Sequence, residues 1–234
     1  MSEKLNKGFD FPIDQIEEMI GAKINTSLGS DFNRIVPLRA IQSVKGVVLF
    51  ESDTFEKLIK GIPLRSQSEK IYPYADAKIN VFRRQPEGFD IGQTFINSKK
   101  LLALMQDLES RLLGGFYTGG LSKMPPTKIY GIDNKERKVI AFYIPPIAEV
   151  YNDGKNGSSV VLIDGIHRSY ICKAAGTTVN AVHINYISPD SPLPFDPITW
   201  RDAKLMEDKP PIDQRYKNLR REYFRDLNSI GIDG

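Results

Sequence analysis

Cysteine is almost absent from this chain: Cys172 is the only one in 234 residues. No disulfide can close within the chain, and a zinc site built on several thiolates is excluded. No apolar run approaches the roughly 20 residues that span a bilayer, so no membrane partner is expected. The first residues, Met1-Ser2-Glu3-Lys4-Leu5-Asn6-Lys7, lack the apolar segment of a signal peptide, and the expected location is the cytoplasm. Charge of one sign is lacking too. The 32 Lys and Arg nearly balance the 29 Asp and Glu, for a net charge of +3. A dedicated DNA-binding domain usually carries a denser basic stripe. Internal repeats and low-complexity tracts are missing as well.

What is present suits a globular chain. Apolar residues make up 41% and charged residues 26%, enough to bury a core. The length fits one large domain, or one domain with sizeable additions. In the first 75 residues, Ile13 to Ile20 reads as a helix closed by Gly21. Gly46 to Phe50 reads as a strand, and Thr54 to Lys60 as a helix stopped by Gly61. Lys78 to Phe82 is an expected strand, followed by the turn-rich loop Arg83-Arg84-Gln85-Pro86-Glu87-Gly88. Leu101, Leu104, Met105, Leu108 and Leu112 fall at helical spacing. Asn97 or Ser98 can cap that helix, and Gly114-Gly115 can end it.

Strands are then expected over Thr127 to Ile132, Val139 to Ile144 and Ile147 to Tyr151. The hairpin-like turn Asp153 to Gly157 leads into a strand around Val160. Thr178 to Ile187 alternates as a strand whose more apolar face is Val182, Ile184 and Tyr186, which turns His183 away from the main core. Beyond Ser188 the prolines 189, 192, 194, 197, 210 and 211 predict an extended wrap anchored by Trp200. A terminal helix is expected over Asp213 to Asn228, with Tyr216, Leu219, Tyr223 and Leu227 as its packing face and Arg215, Arg220, Arg221 and Arg225 around the rest.

The stretch with most chemical content is Val160-Val161-Leu162-Ile163 followed by Asp164-Gly165-Ile166-His167-Arg168. A β-branched run ends in an acid and a glycine, and a helix-like segment from Ser169 to Ala175 follows and stops at Gly176. A helix start offers unpaired N–H groups and partial positive charge, which suits a phosphate. Gly165 allows close approach of the backbone, and Arg168 can add a bidentate contact. The same residues also describe a plain strand-turn-helix corner, with Asp164 as N-cap and His167 as a satisfied side chain.

The turn, the following Ala174-Ala175-Gly176 and the next strand resemble the ParB/sulfiredoxin-like superfamily. The preceding order is similar as well: a strand, a loop with Arg83-Arg84-Gln85-Pro86, a long helix, and strands leading to the motif. The resemblance covers Asp76 to Ile187. It implies an α+β fold, a mixed sheet with flanking helices, extended by additions at 1–75 and 188–234. It also implies that the chain binds ATP or another NTP with Mg, and that it hydrolyses the nucleotide or passes its phosphoryl group to a small-molecule acceptor. Carried over by position, Gly165, Ile166, His167, Arg168 and Ser169, with Arg83 and Arg84, would bind the nucleotide. Asp164 and His167 would act in catalysis, and Glu87 and Asp90 are the candidate bases. Sulfiredoxins carry a reactive cysteine where this chain has Ile166, so reduction of a sulfinic acid is not expected. Nor does the short, proline-rich tail match the helix-turn-helix module of the partition proteins. The alternative reading is a nucleic-acid-associated protein, nuclease-like or an accessory factor of DNA modification, motivated by the arginines of the terminal helix and by Arg83-Arg84. A third is a fold member that only scaffolds partners.

Overall fold

A computed structural model describes residues 8–24, 27–65, 69–107, 121–152, 158–187 and 190–233. In chain order the elements begin with β1 (Phe11–Pro12), α1 (Ile13–Ile20), β2 (Arg34–Ile35), β3 (Ile41–Leu49) and α2 (Ser52–Lys60). Next come β4 (Lys78–Arg84), β5 (Asp90–Ile91), β6 (Phe95–Asn97) and α3 (Ser98–Asp107). The remainder is β7 (Thr127–Asp133), β8 (Lys138–Tyr143), β9 (Ile147–Asn152), β10 (Ser158–Asp164), α4 (Ile166–Ala174), β11 (Val179–Asn185) and β12 (Lys204–Met206). The protein is therefore α+β with mixed sheets, as expected. Among the described residues no helix is long and apolar enough to cross a membrane.

The chain divides into two compact units. The first joins residues 1–62, 126–143 and 226–234. Its sheet runs β1-β2-β8-β7-β3. Helix α1 buries Ile16 and Ile20, and α2 buries Phe55, Leu58 and Ile59, each set spaced to one face. Gly21, at φ 61°, closes α1 as expected. The expected strand at Gly46 begins earlier, at Ile41, because β3 pairs with β7 through two register shifts that absorb its irregular stretches. The β7–β8 hairpin was expected inside the 76–187 core; it clusters instead with the N-terminal segment. At its turn, one Asp133 carboxylate oxygen accepts the N–H groups of Lys135 and Arg137, both at 2.9 Å.

The second unit joins residues 63–125 and 144–225. Its sheet runs β4-β11-β9-β10-β5, with β11 parallel to β9 and β10 parallel to β5. One face carries a core of Phe89, Ile91, Ile96, Ala148, Val160, Leu162, Val179 and Ala181 with Ile166 and Cys172 of α4. Trp200 anchors the tail there: it packs on this core and its Nε1 donates to the Pro86 carbonyl at 2.8 Å. Asn97 caps α3, its side-chain oxygen accepting the Lys100 N–H at 2.8 Å. Leu101 packs on the core. The side chain of Met105, all of Leu108, Leu112 and Gly114-Gly115, and the turn 153–157 lie outside the described residues.

His183 does not face away from the core; it is 5% exposed. Val179 and Ala181, on the same face of β11 as His183, belong to the core, and Val182 and Ile184 on the other face are buried too, so alternation does not mark a solvent side. The terminal helix over Asp213 to Asn228 does not form. The chain there makes short 3-10 turns at Ile212–Gln214, Arg221–Tyr223 and Leu227–Ile230. Between them it makes bridges from Tyr216 to Gln93, Lys217 to Asp196 and Arg225 to Leu64. These pairings, and the stacking of Tyr216 on Phe195 at 5.4 Å, override local helical spacing.

Candidate functional site at the start of helix α4

Strand β10 ends at Asp164, and Gly165 turns the chain with φ 82° and ψ 19° to become the N-cap of α4. That left-handed conformation favours glycine. A Cβ on Gly165 would lie 2.6 Å from Pro146 Cβ and 2.7 Å from its Cα, so close packing also demands glycine. Asp164 does not cap the helix. Its Oδ2 pairs with Arg168 Nη2 at 2.8 Å, while Arg168 Nη1 donates to the Ile144 carbonyl at 2.6 Å. Arg168 therefore braces the turn from below. The helix begins at Ile166, three residues before Ser169, because Gly165 accepts the Ser169 N–H as the first helical bond, at 2.9 Å.

His167 is 6% exposed. Its Nε2 accepts the N–H of Asn97 at 3.1 Å, and Asn97 is the residue that caps α3. The start of α4 thus meets the start of α3. Burial, and then the positive charges of Lys100 and Lys209, push the His167 pKa down to about 3. The ring is neutral at physiological pH, and because Nε2 is an acceptor its proton sits on Nδ1. It is a hydrogen-bond donor, not a cation. Lys209 reaches this place through the tail: β12 lies parallel to β6, and Asn97 Nδ2 donates to the Glu207 carbonyl at 2.8 Å.

The other candidates are dispersed. Ile166 belongs to the core, and Ser169 is fully buried with its hydroxyl unpartnered. Asp164, Ile147, Val182 and Val81 form one row across the sheet. Arg83 and Arg84, on β4 and not in a loop, are therefore three strand spacings from the turn, roughly 14 Å. Arg84 lies over the Phe89 ring at 5.6 Å. Glu87 is exposed in the turn Pro86–Gly88. Asp90 is in register with Val161 and accepts the Ser159 hydroxyl at 2.6 Å, about 10 Å along the strand from Asp164. Asp90 therefore does not reach the start of α4 as a base, while Glu87 lies on a turn that packs against that helix. Lys100 and Lys209 were missed, although Lys100 stands one turn after the capping Asn97, a signal that could have found it.

The two buried histidines make a pH prediction. Burial lowers His183 as well, to about 4, with Arg84 adding to the shift. The folded chain then binds fewer protons than the unfolded chain below the ordinary value of 6.5. Their contribution is complete above that pH and is lost as pH falls toward 4 and then 3. The urea midpoint should decline over that window. The His167 ring signals in NMR should stay flat from about pH 8 to 5; a mid-range titration there would contradict its burial.

No family model, curated protein or solved structure matches this chain.

Proposed function

We propose that the start of α4 binds the phosphates of ATP or another nucleoside triphosphate. The observation that carries this reading is convergence. Two helix N-termini meet through the Asn97–His167 hydrogen bond, and the charges of Lys100 and Lys209 fall on the same ring. Helix starts favour anions, neutral His167 offers Nδ1–H, and the two lysines supply charge that the turn itself lacks. Arg168 acts by holding Asp164 and the Ile144 carbonyl, so its role is to position the turn. The resemblance to ParB/sulfiredoxin-like proteins points to the same ligand.

A magnesium ion would arrive held mainly by the nucleotide's phosphates and water, and Asp164, the carboxylate at the turn, is committed to Arg168. Residues for phosphoryl transfer are correspondingly not assigned. Three of the tail arginines that motivate the alternative nucleic-acid reading are engaged within the chain, whereas Arg83 and Arg84 are not paired with an acid among the described residues. Arg225 is buried, Arg220 pairs with Asp196 at 3.2 Å, and Arg215 donates to the Pro210 carbonyl at 2.6 Å.

Titration calorimetry tests the proposal. Lys100→Ala with Lys209→Ala should weaken ATP binding about 100-fold, since each charge-assisted contact contributes on the order of 1.5 kcal/mol, about tenfold. Both side chains are exposed, so the urea midpoint should hardly move. Unchanged ATP affinity, or no ATP affinity in the parent chain, overturns the assignment.

A further inference from the structure

Arg83 and Arg84 take no part in the phosphate site, and they belong to an open sheet edge. Strand β4 ends the order β4-β11-β9-β10-β5, so one of its edges carries no strand among the described residues. Its pairing with β11 runs without a register shift from Lys78 opposite Asn185 to Arg84 opposite Val179. Such an edge turns the N–H and C=O of every second residue outward. Proteins ordinarily blunt it with charged side chains, proline, a bulge or a covering segment; β4 contains neither proline nor bulge, and its only such device is the positive charge of Lys78, Arg83 and Arg84. Val81 is 38% and Phe82 54% exposed, on opposite faces because strand side chains alternate.

The strand's charge has one sign. Lys78, Arg83 and Arg84 carry it, and no acidic residue lies between Asp76 and Glu87. None of the three arginine and lysine side chains has an ion-pair partner among the described residues. Two copies joined antiparallel about Val81 would set Lys78 against Arg84, and like charges directly opposite are destabilising. The same charges attract an acidic strand.

We propose that β4 is a docking edge for an extended acidic segment of another protein. The segment adds as a further strand, its backbone bonding to the open edge. An apolar side chain lies against Val81 or Phe82, and carboxylates lie near Lys78 and Arg83. Main-chain bonds give such a complex its affinity, and alternate side chains give it specificity. The site is independent of the phosphate site.

The test uses the full chain and a fluorescent peptide of alternating valine and threonine with two glutamates at each end. Its controls are the same peptide with lysine ends and one with a central proline. The acidic peptide should bind at least 10-fold more tightly than either control, lose affinity with salt, and slow amide exchange along β4. Lys78→Glu with Arg83→Glu should reverse the preference toward the lysine-ended peptide. Equal affinities for the charged peptides, or protection that leaves β4 unchanged, overturn the proposal. So does β4 protection that grows with protein concentration alone, which would identify a second copy as occupant. An oligothymidylate that protects β4 where the acidic peptide does not overturns it as well.

Discussion

Replacing Arg225 with Met is expected to lower the unfolding free energy by about 3–5 kcal/mol, the cost of leaving a buried charge without its partner. Arg225 and Glu149 are both fully buried as side chains. Arg225 Nε donates to Glu149 Oε1 at 2.7 Å and its Nη2 to Oε2 at 3.0 Å. The hydroxyls of Tyr74 and Tyr151 also donate to that carboxylate. Burial first, and then the Glu149 charge, raise both phenol pKa values, so both remain donors at any physiological pH. The guanidinium satisfies the Ser191 and Pro192 carbonyls too, each at 3.0 Å. Arg225→Met would strand these acceptors and the carboxylate together. Glu149→Gln combined with Arg225→Met should recover part of the loss, because no charge is then left buried alone, while the Ser191 and Pro192 carbonyls stay without their donor. Urea denaturation of the two single variants and the double variant measures the coupling. A single-variant cost below ~1 kcal/mol would show that the network does not hold the tail.

That network also marks where reading by local pattern stops. Glu149 alternates with Ala148 and Val150, which pack on the core of the opposite face. The pattern says only that Glu149 faces the other way; its partner lies 76 residues further on. The arginines at 215, 220, 221 and 225 look like one solvated helix face because their spacing is helical. The chain uses them instead as separate anchors, Arg225 to a buried carboxylate and Arg220 to Asp196. Tertiary pairing decided the backbone there, and no window of sequence contains it.

The β10–α4 corner was legible for the opposite reason. Its signals are contiguous: a β-branched run, then Gly165 in a conformation that suits glycine, then a helix ended by Gly176 at φ 63°. Helices α1 and α2 were legible for the same reason, each closed by a glycine at the expected place. The roles within the corner were less so. Arg168 looks like an anion ligand in sequence, yet its donors serve Asp164 and Ile144. The positive charge that acts on His167 comes from Lys100 and Lys209, which are brought to the same ring by the pairing of β12 with β6. Proximity of that kind is set by topology.

Gly165 separates the two roles of the corner, and Gly165→Val should act mainly on folding. Reading the motif alone suggests that the added side chain would block a phosphate more than it disturbs the core. The structure reverses the order. Valine at φ 82° is strained, by roughly 1–2 kcal/mol or more for a β-branched residue. Its Cβ would also sit 2.6–2.7 Å from Pro146, and overpacking of that kind adds about 1–3 kcal/mol. A total loss of about 3 kcal/mol is expected, read as a lower urea midpoint with an unchanged slope. Asparagine tolerates the left-handed conformation better than most residues, but its Cβ meets the same wall, so Gly165→Asn should be only partly milder. Shortening the wall should not rescue either variant. Pro146→Gly removes Cβ and Cγ, but the Pro146 Cα remains 2.7 Å away. If Gly165→Val instead folds with parental stability while ATP binding is lost, the contact with Pro146 is not limiting and Gly165 serves the ligand directly.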